Sequence, residues 1–178
     1  MVAPIRATAM VVTALWAGTL FFVGFVFAPY VFALAARGDA NVPNSGVAAD
    51  LVGPLLYGSD VAGLVIVLPL LACLAYLRFR RQTPLGGRYF VCEIALVLAG
   101  GCASINYWGL TPRLTAVQEA LAARYGGFHL ADKTDPLYVT FTTLHQSATA
   151  LFMLAFVCSL ICLVCFSHFR SAERTLGT

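Results

Sequence analysis

From Leu137 to Phe166 the chain reads LYVTFTTLHQSATALFMLAFVCSLICLVCF, without one Asp, Glu, Lys or Arg. A bilayer core is about 30 Å thick and needs about 20 apolar residues in helical form to cross it. Lipid offers the backbone no hydrogen bonds, so an isolated run of this kind must be helical. The run also holds His145 at depth and closes on Cys158, Cys162 and Cys165, spaced i, i+4, i+7.

Three further runs have the same character: Thr8–Ala36, Asp50–Leu77 and Tyr89–Leu110. Hydrophobic residues make up 60% of the chain and charged residues 11%, against about 25% charged in soluble domains. The mean hydropathy is +0.85. These values predict an all-α, integral membrane four-helix bundle with short loops. Residues 8–166 form its single four-span domain and 167–178 a short tail. The first run is about twice the length of a signal-peptide core, which predicts a retained helix. The basic residues sit at helix ends without interleaved aromatics, so nucleic-acid binding has no support. All six cysteines lie inside apolar runs, where free thiols are expected and a disulfide framework is not.

Orientation follows from Lys and Arg. Arg6, Arg78, Arg80, Arg81, Arg88, Arg170 and Arg174 fall on one side, and Arg37, Arg113, Arg124 and Lys133 on the other. The sparser side also carries Asp39, Asp50, Glu119, Asp132 and Asp135. Both termini are therefore expected in the cytoplasm, with the protein in the plasma (inner) membrane. The first connection, residues 38–46, is rich in turn residues. The second, around residues 81–87, is short. In the third, Leu114, Val117, Leu121 and Tyr125 recur at helical spacing, which predicts an amphipathic extension of helix three at the outer interface. Gly126-Gly127 ends it, and Asp135-Pro136 supplies an N-cap and a first-turn proline for helix four.

Small residues recur four apart at Ala14/Gly18, Gly24/Ala28, Gly58/Ala62, Ser59/Gly63 and Ala95/Ala99/Ala103, as they do where membrane helices approach closely. Ionisable groups within a span are costly and mark candidate sites. Asp60 and His145 lie ten and nine residues into helices that enter from outside, about 12–15 Å down. Asn106 is slightly shallower. The three predict a polar, ligand-binding pocket in the outer half, with Gln146 a fourth candidate. A purely structural hydrogen-bond network is the competing reading. Glu93, near the inner surface, reads as an interface residue that can reach headgroups or pair with an arginine of the second connection. At 100° per residue, Thr142, Gln146 and Thr149 lie within about 100° of His145, and the three cysteines about 100–160° away. Histidine and thiols therefore face different partners. The thiol stripe suits a soft ion such as Cu(I), and equally a cysteine acting as a small hydrophobe.

Three segments resemble the transmembrane protein 205-like family. Trp16-Ala-Gly18 leading to Phe27-Ala-Pro29-Tyr-Val-Phe32 is similar to its first helix. Asn106-Tyr-Trp-Gly-Leu-Thr-Pro112 is similar to its third-helix exit, and Phe141-Thr-Thr-Leu-His145 to its fourth-helix histidine motif. The resemblance implies a four-helix membrane bundle. Through animal relatives tolerant of platinum drugs, it also implies a link to thiophilic metals or export. It singles out Trp16, Gly18, Pro29, Asn106, Pro112, Phe141 and His145. Relatives often carry an asparagine two turns beyond the histidine, where this chain has Phe152.

No nucleophile triad, phosphate loop or HExxH motif is present, so the reading leans away from an enzyme. The leading expectation is a membrane protein that binds or passes a small solute or metal ion at an outer-half polar site. Alternatives are a redox or haem-binding protein using His145 as axial ligand, and an assembly partner without a ligand.

Overall fold

A computed structural model describes residues 2–81 and 87–174 of the chain. They form six α-helices: α1 (Val2–Phe21), α2 (Ala28–Arg37), α3 (Ser45–Arg81), α4 (Gly87–Ser104), α5 (Thr111–Tyr125) and α6 (Pro136–Arg174). Two π-helical turns, Phe22–Phe27 and Ile105–Leu110, join α1 to α2 and α4 to α5. Each pair is thereby one long rod. Four rods are long and apolar enough to cross a membrane: Ala7–Arg37, Ser45–Tyr76, Tyr89–Tyr125 and Pro136–Ser167. No strand occurs among the described residues.

Each span packs on its sequence neighbours, and the fourth closes the ring against the first. This is an up-down-up-down bundle, with both termini at one end and the first and third connections at the other. Leu15, Val65, Leu68, Val97 and Val164 are left fully open on its outside. Water would oppose such an apolar belt, whereas lipid tails match it. The protein is an integral membrane protein.

Two boundaries differ from the sequence expectation. Helix two begins at Ser45, not near Asp50, because Asn44 caps it: its Oδ1 accepts from the N–H groups of Gly46 (2.9 Å) and Val47 (3.1 Å). Helix three does not end at Leu110. It continues through the π turn into α5, since the Thr111 N–H still donates to the Asn106 carbonyl. The resulting 37-residue rod is about 55 Å long and outreaches the hydrocarbon. The extension predicted from Leu114, Val117, Leu121 and Tyr125 is α5, which packs on α6 with Leu121 fully buried. At the other end α6 runs on to Arg174, past the apolar span that ends at Ser167; residues 175–178 lie outside the described residues. So do residues 82–86 of the second connection.

The two π turns share a sequence context, whereas Pro54 and Pro69 lie inside α3 without such a turn. Each π turn is followed by a proline in the first turn of the next helix, Pro29 and Pro112. A proline inside an α-helix clashes with the carbonyl four residues back and donates no hydrogen bond. Widening the preceding turn moves that carbonyl away and keeps the rod continuous. The bond from the Ala28 N–H to the Val23 carbonyl shows the same five-residue step as the one at Thr111.

At the connection end, Gly38 takes a left-handed φ of 67° and stops α2. The Asp39 N–H then reaches back to the Leu34 carbonyl at 3.2 Å, closing a Schellman-type cap. Gly126, at φ 75°, ends α5 in the same conformation. Near the termini Arg78 pairs with Glu93 at 3.1 Å, as expected for a carboxylate at that depth.

Asp135 ties the third connection together. Its Oδ1 accepts from the Leu137 N–H at 2.8 Å and so caps α6. Its Oδ2 accepts from Arg124 and from the Tyr125 hydroxyl, both at 2.7 Å. The Tyr125 hydroxyl, the Leu137 N–H and the Arg124 guanidinium hold its carboxyl below the usual carboxylate range. The unfolded carboxyl titrates near pH 3.9. A group depressed on folding contributes its stability above that value and loses it as pH falls through the folded one. Asp135→Asn should therefore melt lower than wild type at neutral pH. The gap should shrink as pH drops below about 4. Parallel melting curves across that range would refute the hub.

Candidate functional site

The core lies beside and below the site and explains its floor. Trp16 (2% exposed) and Gly63 meet there; a Cβ at Gly63 would stand 2.9 Å from the indole Cζ2. Ala95, Ala99 and Ala103 line the buried side of α4. Of the small-residue pairs, these and Gly24 serve close approach. Gly18 and Gly58 face open space, where no packing demand applies. One turn further along, Gly24 sits in the first π turn, and a Cβ there would stand 2.6 Å from Cε1 of Phe152. Phe152 is 6% exposed.

Above Phe152 opens a cavity of about 600 Å³, at the bundle end that bears the first and third connections. Its walls come from all four spans. The two π turns contribute Gly24 and Asn106. Asp60, Asn106 and His145 all line it. The side chains that the sequence singles out on three separate helices thus share one chamber. Gln146 is exposed and does not line it. Because α3 starts at Ser45, Asp60 lies about 22 Å along its helix, against about 14 Å for His145 along α6.

Asp60 is 8% exposed and Asn106 4%. Asn106 stands against the Asp60 carboxyl. Its Nδ2 donates to the Ala148 carbonyl at 3.3 Å, while its Oδ1 is buried without a partner among the described residues. Buried acceptors are normally satisfied, and one left open in a cavity wall marks a place for a donor. The hydroxyls of α6 differ. Thr142 and Thr149 donate to the carbonyls one turn back, at 2.9 Å each, and ask nothing of the cavity.

His145 stacks on Phe141, one turn away, with ring centroids 5.8 Å apart and planes 10° from parallel. Phe141 in turn meets Phe128 at 4.6 Å. Tyr57, one turn before Asp60, donates its hydroxyl to that of Tyr107 at 2.8 Å. Phe128, Tyr138 and Tyr57 are wall residues that the sequence reading did not select. The one signal for Tyr57 is its i−3 spacing from Asp60. Phe128 offers none, because it sits in a short turn (Phe128–Leu130) outside the spans.

The cysteine stripe lies elsewhere. Cys158, Cys162 and Cys165 are buried in the core with Cys92, and the Cys162 thiol donates to the Cys92 carbonyl at 3.7 Å. Among the described residues no group of three or more His, Cys, Asp or Glu side chains is arranged to hold a metal ion.

Residues 11–123 match a family known as a domain of unknown function, DUF4149. The match takes in more than half of the chain. The chain belongs to the DUF4149 family. The matched segment holds Trp16, both π turns, both following prolines, Asp60 and Asn106. It stops short of α6, so His145 and Phe141 lie outside it. The match carries the DUF4149 description, and the transmembrane protein 205-like resemblance rests on the sequence motifs alone. No curated protein and no solved structure matches the DUF4149 chain.

Proposed function

We propose that this DUF4149 protein takes a small solute into the cavity between its four spans, with Asp60, Asn106 and His145 as the polar contacts. One observation carries the reading: the buried, unpartnered Oδ1 of Asn106 in the wall of a 600 Å³ chamber, beside Asp60. That volume is in the range of small-molecule sites, which are mostly apolar with a few convergent polar groups. The absence of a three-donor group among the described residues favours a solute over a metal ion. The distribution of Lys and Arg favours termini in the cytoplasm and a cavity mouth on the outside. Thr149→Cys, in the wall, should then react with a membrane-impermeant maleimide added to intact cells.

Binding is tested in nanodiscs with three probes on one ring system: naphthylmethylamine, naphthylmethanol and naphthoate. Saturable binding of at least one is expected. It should be lost in Ala148→Trp, which fills the chamber from its wall. If none of the three binds, or if binding survives Ala148→Trp, the reading fails.

A further inference from the structure

We infer that the solute is an organic monocation, an ammonium group carried on an apolar or aromatic body. This inference deepens the proposed function and rests on it. Among the lining residues Asp60 is the one acid, and no Lys or Arg joins it. Next to its carboxyl, Asn106 turns its amide NH2 to the Ala148 carbonyl and to Asp60, which leaves its Oδ1 as the acceptor without a partner among the described residues. The deep end is therefore built to accept hydrogen bonds from a positively charged donor. An ammonium has up to three such donors and no acceptor. The mouth is lined differently. Phe128, Tyr138 and Phe141 line it as a packed aromatic cluster, a surface that buries apolar bodies.

The alternatives fit less well. An anion would meet the Asp60 carboxylate and the Asn106 Oδ1 at the deep end, and no Lys or Arg lines the cavity to offset them. A neutral solute would give the buried Asp60 no counter-charge, and its carboxyl would then be held in the protonated form, whereas an ammonium pairs with the carboxylate. A metal ion needs several ligating groups around one point, and no such set of acids, histidines and cysteines exists among the described residues.

The three naphthyl probes decide this in the unmodified protein, because they differ mainly in the charge of the head group. Naphthylmethylamine should bind at least about tenfold more tightly than naphthylmethanol, a difference of about 1.4 kcal/mol, with naphthoate the weakest. Asp60→Asn, checked for an unchanged gel-filtration profile, should reduce the amine's advantage over the alcohol to within about threefold. Equal binding of amine and alcohol, still lost in Ala148→Trp, would overturn the cation inference and leave the solute-binding reading standing. Tighter binding of naphthoate would do the same. Amine binding that persists in Ala148→Trp would overturn both. Should Asp60→Asn fail to fold, the ranking of the three probes on wild type decides alone.

Discussion

Trp16→Ala should lower the unfolding free energy by about 3 kcal/mol, the low end of the range for truncating a buried aromatic. The low end applies because lipid is already apolar. Little transfer free energy is lost when the side chain shrinks, and the cost comes from lost dispersion contacts and the hole left behind. That hole would be bounded by Gly63, which has no side chain to fill it, and by the core around Leu20, Val67 and Leu70. Trp16→Phe should cost far less. It loses part of the ring but also removes Nε1, a buried N–H with no partner among the described residues. Gly63→Leu alone should be destabilising, because its Cβ would stand 2.9 Å from the indole. Combined with Trp16→Ala it should recover stability, giving a coupling of about 1–3 kcal/mol in a double-mutant cycle. Reversible unfolding in mixed micelles, followed by circular dichroism, measures all four variants. Additive effects of Trp16→Ala and Gly63→Leu would show that the two residues do not share one packing site.

Gly24→Leu should have the largest effect on the cavity. Even a methyl group at Gly24 falls 2.6 Å from the Phe152 ring. The ring must yield, and the space open to it is the chamber above. Overpacking of this kind typically costs about 1–3 kcal/mol. Replacing a helical glycine returns up to about 1 kcal/mol through backbone entropy, so the net loss of stability should be about 1–2 kcal/mol. Solute binding, in contrast, should fall below detection, because Phe152 would be driven up against Asn106 and Asp60. Gly24→Leu with Phe152→Ala should restore both stability and binding, the smaller side chain making room for the larger one. Wild-type binding by the single variant would mean that Phe152 moves towards lipid instead.

Much of this protein was legible before any coordinates. Four long, strongly apolar runs admit four membrane helices and little else, because hydrocarbon leaves the backbone no other partner. Asp135-Pro136 announced the start of α6, and the carboxylate of Asp135 caps it as the residue type requires. The 100° step also separated His145 from the cysteines on α6. The cysteines lie in the core and the histidine in the cavity wall.

The boundaries were less legible where competing signals met. Residues 38–46 read as loop because Gly, Asn, Pro and Ser cluster there, yet Asn44 is a cap and Ser45 opens a helix. Leu114, Val117, Leu121 and Tyr125 predict the extension of helix three, but not that the rod runs unbroken through Pro112, where a proline clashes with the turn before it. A π turn relieves the clash, and nothing local in the sequence records that choice.

Local rules therefore determined the number of spans, their polarity pattern and which side chains lie at depth. They rest on the cost of an unpaired backbone or a bare charge in lipid, which each residue meets on its own. The chamber was decided only by the tertiary structure. It exists because a glycine on the first span admits Phe152 of the fourth as its floor. It is polar because Asn106, turned by a π step in the third span, stands against Asp60 of the second. Rotation of one helix about its axis relative to another is fixed by packing across the bundle. No single run of sequence contains it.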